Sequence, residues 1–387
     1  LPGPPSRASQ IRCHLSLQQT QAWKADSSLS RPSQVALRRE LNSIKYEQFP
    51  WMAESTKCAP QEAIIALGFA FRNFFAGRAK HPSFKKRGPY DSFKLSSGQF
   101  RIDDKRIRIP KVGWVRMRER LRYVDAKQVS VTVSRQADRW FAAIQCELPA
   151  PETVPTPLTP TTVGVDVGVR EFVASDGTRY KVPRNLRHAQ RQLKRAQQSL
   201  ARKTKGSKKR QKARMKVACL HARIADTRAD WLHKLTTSLT SGHDLVVIED
   251  LNVAGMAHNH HLALSIADAS FGEFRRQLTY KTETYGQTLV VVDRWFPSSK
   301  LCSSCGAKTK HPMPLHVRTW TCDTCNAMHD RDLNAARNLA TYDPAVSSTV
   351  AARGEFLTAA TSEPSGVDAA SRLVEPGTRH QQMLDPV

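Results

Sequence analysis

Residues 162–169 read TVGVDVGV, and the fold turns on how the aspartate in the middle is explained. Apolar side chains flank it on both sides, as in a strand covered on both faces. An ionised carboxylate in such a strand is costly unless a partner or a metal neutralises it. Asp166 is therefore a candidate metal ligand. The plainer reading is a turn or capping aspartate, helped by the neighbouring Gly164 and Gly168. Further along, LVVIED at 245–250 is a second apolar run, and it ends in Glu249 and Asp250. The carboxyl end of a buried strand is where open α/β sheets place their sites. A third acidic block, HDRDLNAARNL at 329–339, puts Asp332, Ala335, Ala336 and Leu339 on one helical face. Alanines let that face approach a sheet closely and bring Asp332 near the strand carboxylates; the alternative is an N-capped helix with an aspartate at its start. Three carboxylates on β, β and α elements suit two Mg2+ ions about 4 Å apart, one activating water and one stabilising the leaving oxygen of a phosphodiester.

Two cysteine pairs follow a different logic. CSSC at 302–305 and CDTC at 322–325 are separated by sixteen residues. Each pair forms a tight knuckle that offers two sulfurs, and two knuckles complete a tetrahedron around Zn2+. Cys302, Cys305, Cys322 and Cys325 are thus the expected ligands of a structural zinc, and Gly306 supplies permissive backbone after the first knuckle. A redox dithiol accounts for one CxxC but not for two at this spacing. Cys13, Cys58, Cys146 and Cys219 are scattered and read as inert thiols of a reducing compartment.

The charge names the partner class. Sixty Lys and Arg against 34 Asp and Glu give +26 over 387 residues, a field that attracts polyanions. Residues 184–216 hold fourteen Lys and Arg and no acid. A solvated helix face usually mixes signs, so this stretch reads as a phosphate track, with Arg187, Arg191, Lys194, Arg195, Lys208, Lys209 and Arg210 as contacts. Lys85, Lys86 and Arg87 in an earlier basic loop, and Lys300 before the first cysteine pair, are further candidates. The best apolar run, 63–76, is short and contains Arg72, so no membrane partner is expected, and the chain is expected in the cytoplasm of a prokaryote.

The period of the pattern divides the chain into a multidomain α+β protein. Residues 31–90 read as a small helical unit, with helices from Ser33 and from Pro60. Residues 91–148 alternate as short strands with basic residues between them. Five prolines between 149 and 162 mark a stiff linker. From 163 the order strand, long helices over 183–241, strand, helix, strand and final helix is an α/β domain, running to 301, interrupted by the cysteines at 302–325 and resumed at 326–342. The tail, 343–387, carries six acids and three bases and is expected to be disordered.

GVDVGV, VVIEDLNVAGM, DRWFPSSKLCSSCG, TCDTC and DRDLNAARNL together resemble the TnpB (OrfB) proteins of insertion sequences, compact relatives of type V CRISPR effectors. The likeness spans residues 30–342. It implies a RuvC-like (RNase H-like) nuclease core with an inserted zinc ribbon, preceded by a helical recognition lobe and a β-rich wedge domain, with residues 1–30 as a shortened first wedge segment. It also implies an RNA-guided DNA endonuclease, often described as a transposase, that takes a noncoding guide RNA and target double-stranded DNA as partners. By motif its catalytic residues fall on Asp166, Glu249 and Asp332, which leaves Asp250 and Asp330 as neighbours. A RuvC-type nuclease without a guide, and a zinc-ribbon regulator that binds nucleic acid without cutting it, remain open on sequence alone.

Overall fold

A computed structural model describes residues 34–44, 47–48, 50, 58–82, 92–149, 160–314, 316–342 and 381–384. Lys85, Lys86, Arg87, residues 1–30, most of the proline linker and all but four residues of the tail lie outside the described residues. The chain forms two compact units that divide between Pro149 and Ala150.

The first unit opens with α1 (Gln34–Ile44) and α2 (Cys58–Phe75). Ile64, Leu67 and Phe71 are buried along one face of α2, and Pro60 falls in its first turn, where a missing N–H breaks no helical bond. Six strands follow: β1 (Ser92–Ser96), β2 (Arg101–Asp103), β3 (Arg106–Ile109), β4 (Gly113–Arg116), β5 (Lys127–Gln136) and β6 (Arg139–Glu147). Strand alternation sends Phe93, Leu95, Ile107, Ile109, Val131 and Val133 into one core. It leaves Arg101, Arg106 and Arg108 exposed, the basic face that the sequence predicts. β4 was not predicted, because its four residues give the core only Val115.

The second unit is built on a five-stranded sheet. Its elements are β7 (Thr162–Val167), β8 (Glu171–Ala174), β9 (Arg179–Lys181), α3 (Asn185–Ala201), α4 (Lys208–Gly242), β10 (Leu245–Glu249), α5 (Val253–His258), α6 (Ala263–Ala269), α7 (Phe271–Tyr285), β11 (Thr288–Val292), β12 (Thr319–Thr321), β13 (Met328–Asp330) and α8 (Arg331–Ala340). The sheet order is β11-β10-β7-β8-β9, with β7, β10 and β11 parallel, β8 antiparallel to β7, and β9 antiparallel to β8. Helical crossovers are what parallel neighbours require. The break between α3 and α4 sits at Gly206 (φ +86°), after which the Ser207 hydroxyl accepts from the Arg210 N–H at 3.1 Å. The hairpin β8–β9 and the helices α5 and α6 were not predicted; runs of three to seven residues are too short to display a period. In the tail, β14 (Gln381–Leu384) pairs antiparallel with β6, so structure reaches into the segment expected to be disordered at these four residues.

Period two decides which side chains face which layer. Val163, Val165, Val246 and Ile248 pack against Leu232, Leu235 and Leu239 of α4 and Phe274 and Leu278 of α7. Val247 and Val292 point the other way and meet Leu339 of α8. Gly164 shares that second face. A Cβ there would overlap the Ala336 carbonyl oxygen and the Ala340 nitrogen, so α8 lies directly on the β7 backbone.

Candidate active site and metal centre

Asp166 is two residues beyond Gly164 on β7, and Glu249 is two beyond Val247 on β10. Both therefore face the α8 side of the sheet. β7 and β10 pair in parallel with Ile248 opposite Val165, so Glu249 and Asp166 are one step further along adjacent strands. Asp332 lies in the first turn of α8, whose Ala335, Ala336 and Leu339 are buried. The three acids named from the sequence thus reach one end of one sheet face. Burial, then the charges of Glu249 and Asp332, push Asp166 up to about 8, with Arg331 and Arg318 pulling weakly the other way.

Two of the three carboxylates have a keeper. The Ser298 hydroxyl donates to Glu249 Oε1. Arg318 Nη1 donates to both oxygens of Asp332 at 3.1 Å. Asp166 faces acids and is the group for which a proton or a cation is the natural partner. Hard oxygen donors with surplus negative charge fit Mg2+. The neighbouring acids are committed elsewhere. Asp250 binds Arg275 at 2.5 Å and Arg294 at 2.6 Å; the hydrogen bonds from Arg294 and then Arg275 hold its carboxyl below the usual range. Asp330 caps α8, accepting from the Leu333 N–H at 2.9 Å, and pairs with Arg179 at 3.0 Å.

The cysteines come together as a quartet. Cys302 and Cys325 sulfurs are 3.6 Å apart, and those of Cys305 and Cys322 are 3.7 Å apart. A tetrahedral zinc with Zn–S of about 2.3 Å has S···S edges of about 3.8 Å, so the quartet fits that metal. Both knuckles have the same build. Gly306 N–H bonds the Cys302 carbonyl at 2.8 Å, and Asn326 N–H bonds the Cys322 carbonyl at 2.9 Å. Gly306 (φ +73°) and Asn326 (φ +57°) occupy the matching left-handed positions. The four thiols compete for protons: backbone N–H groups of Cys325 and Thr324 pull the Cys322 thiol down to about 6, while Cys305 and Cys325 are raised by hydrogen bonds with the neighbouring sulfurs and by burial. His329 Nε2 lies 3.0 Å from Cys302 Sγ, and burial, then Arg337, holds its pKa down. Among the described residues this quartet is the only group of three or more His, Cys, Asp or Glu whose ligand atoms all lie within 4.8 Å of one another.

The basic helices divide by role. Arg187, Arg191, Lys194, Arg195, Lys208 and Lys209 are exposed, as is Lys300. Arg187 also reaches the Ser265 hydroxyl at 3.1 Å. Arg210 is different: its Nη1 donates to the Leu200 and Lys203 carbonyls at 3.1 and 2.7 Å and closes the end of α3. A guanidinium engaged by two orphan helix carbonyls has fewer donors left for a phosphate than the exposed cations of the same helices. Buried Asp268 accepts from the Leu186 N–H at 2.7 Å and the Arg187 N–H at 3.3 Å, and so anchors the start of α3. Sequence reasoning missed Ser298, Arg318, Asn334 and Asn338 around the carboxylates. The signal available was a pair of asparagines at i and i+4 on a helix otherwise lined with alanine and leucine.

Comparisons with known proteins identify the family. The family model described as "Probable transposase" (OrfB of IS605) matches residues 130–260, and the Cas12f1-like TNB domain matches 271–339. A Streptomyces pristinaespiralis protein named as a candidate RNA-guided DNA endonuclease is 41% identical over 332 residues, covering 83% of this chain and 79% of the relative. Escherichia coli K12 InsQ, named likewise, is 34% identical over 308 residues, covering 75% of each. Among solved structures, Cas12f1 in a complex with guide RNA and target DNA superposes with a TM-score of 0.52 at 15% identity, covering 88% of this chain and 82% of that one. At that identity the likeness is one of fold. No helix among the described residues is long and apolar enough to cross a membrane.

Proposed function

The chain belongs to the OrfB (TnpB) family of transposon-encoded proteins, and from that we propose that it is an RNA-guided DNA endonuclease that hydrolyses phosphodiesters at Asp166, Glu249 and Asp332. In this reading the second unit is a RuvC-like (RNase H-like) core and the cysteine quartet is its zinc ribbon. The observation that carries it is the meeting of three carboxylates, from β7, β10 and α8, on one face of a mixed sheet. Bound Mg2+ would supply an activated water and neutralise charge on the leaving oxygen.

The chain's own residues have separate tasks. Asp166, Glu249 and Asp332 offer oxygen ligands. Asp166, raised to about 8 by burial and by the charges of Glu249 and Asp332, holds a proton that a bound cation would displace. Arg318 balances the charge of Asp332. The exposed cations of α3 and α4 hold phosphate backbone, where contacts give affinity and base pairing with a guide gives sequence. The exposed face of β2 and β3 offers the first unit the same kind of contact. Zn2+ on the four sulfurs is structural, because four thiolates leave no open position.

Purification from cells carrying the element, sequencing of copurified RNA, and cleavage of a matching duplex with Mg2+ test the proposal. The expected result is a discrete RNA and Mg2+-dependent cutting that Glu249→Gln abolishes. Cutting without the RNA would leave a nuclease that needs no guide. Binding without cutting by the intact protein would leave a regulator.

A further inference from the structure

The segment from Pro297 to Ser303 joins the end of β11 to the first cysteine knuckle, and it is gripped at several points by buried polar groups. Asn338 Nδ2 donates to the Ser298 carbonyl at 2.7 Å and to the Leu301 carbonyl at 2.8 Å. Asn334 Nδ2 donates to the same Leu301 carbonyl at 2.6 Å, and its Oδ1 accepts from the Ser303 N–H at 2.9 Å. Ser298, Asn334 and Asn338 are 4%, 1% and 6% exposed, so none of these bonds is exchanged cheaply for water. Helix α8 therefore fastens the backbone of this segment, while the Ser298 hydroxyl reaches the other way to Glu249. One residue ties the helix that carries Asp332 to the strand that ends in Glu249. Cys302, within the same segment, fixes its far end to the quartet.

We propose that Ser298 and Asn338, with Asn334 as support, are positioning residues that set the distance and orientation between Glu249 and Asp332 for a divalent cation. The inference rests on the carboxylate reading above. A segment that served only to anchor the knuckle would need the asparagine bonds, but it would not need its serine hydroxyl spent on a carboxylate of the sheet. A carboxylate at a strand end turns freely about its side-chain torsions; one donor held from below restricts that freedom and aims one oxygen. The i, i+4 spacing of the asparagines puts both on the flank of α8 beside the alanine face that rides on β7. The same helix can then meet the sheet with its small residues and the segment with its amides.

The test uses the full chain loaded with zinc, and Mn2+ as the probe, with binding followed by electron paramagnetic resonance without nucleic acid. Partners that hold metal ligands in place typically carry about 10–100-fold in affinity. Ser298→Ala and Asn338→Ala are each expected to weaken Mn2+ binding by about tenfold, with zinc content unchanged, and Ser298→Thr to restore it. Because both act through one link, the double variant should lose little more than the worse single one. In cleavage assays the concentration of Mg2+ at half-maximal rate should rise by about as much as the Mn2+ affinity falls. Unchanged Mn2+ affinity in Ser298→Ala, with the thermal melt intact, overturns the proposal, as do fully additive losses. If the unmodified protein binds no Mn2+ that Glu249→Gln removes, the carboxylate reading itself falls and the positioning role falls with it. The two failures are thereby distinguishable.

Discussion

The cysteine quartet and the carboxylate trio lie in the same unit and are assembled by opposite means. The quartet's ligand atoms all lie within 4.8 Å of one another, and each half is a knuckle closed by its own backbone, Gly306 to Cys302 and Asn326 to Cys322. The trio draws on β7, β10 and α8, which span more than 160 residues of chain. Its members do not close to that distance among the described residues; Glu249 is held by Ser298 and Asp332 by Arg318, while Asp166 faces the other two acids. Local geometry fits the first site to its metal. The second needs the sheet register, the seat of α8 on Gly164 and the Pro297–Ser303 segment to agree. A structural metal site gains from early, local closure, whereas a catalytic one gains from open ligands that strain against one another until a cation arrives.

The largest expected effect follows from removing zinc. Structural zinc contributes on the order of 10 kcal/mol in small metal-folded units, so Cys322→Ser should lose stoichiometric zinc by atomic emission and melt the β12–β13 hairpin. A variant that keeps its melting profile with the metal gone would refute the structural role. Next, Glu249→Gln should lower the cleavage rate by about 10³-fold or more while leaving zinc content and nucleic-acid binding alone. Loss of zinc in that variant would mean that the two sites are not separable. Third, Gly164→Ala forces a Cβ into the α8 backbone and should cost about 3 kcal/mol of stability. It should weaken Mg2+ binding and spare zinc, because only the trio depends on that close approach. Equal injury to both sites, read by metal titration, would erase the contrast between them.

Titration sharpens it further. The folded state raises Asp166 from 3.8 to about 8, so the folded protein holds a proton that the unfolded chain has released. Stability from this group is complete below its unfolded value and falls as pH rises from about 4 to about 8 in zinc-loaded protein without Mg2+. Asp166→Asn should flatten that slope in thermal melts. Because a cation must displace the proton, Mg2+ affinity should climb with pH and level off near 8. A flat titration would show that Asp166 is not held protonated. The smallest effect belongs to the surface. Neutralising exposed Arg191, Lys194, Arg195, Lys208 and Lys209 should flatten the salt dependence of binding, by about 0.7–0.9 in slope for each phosphate that is no longer neutralised. Arg210→Gln should change the slope less and the melt of α3 more.

What could be read from the sequence follows the same division. CxxC spacing, the apolar runs around Asp166 and before Glu249, and the alanine face behind Asp332 each report a local requirement, and local requirements leave periodic or spaced marks. β8, β9, α5 and α6 left none, since the sheet and its covering helices hold them in place and their own pattern does not. Arg210 illustrates the limit of charge counting: fourteen cations over 184–216 look alike as letters, and only the folded helix end distinguishes the one that binds carbonyls. Ser298, Asn334 and Asn338 carry no motif of their own, because their meaning depends on a segment and a strand end distant in sequence. The sequence by itself determined the ligand types, the order of the longer elements and the sign of the partner, because residue chemistry and backbone period are properties of neighbours along the chain. The tertiary structure alone decided which acids face one another, which cation is already spent, and what aims Glu249, because those depend on which sheet face and which helix flank a side chain occupies once distant segments have packed.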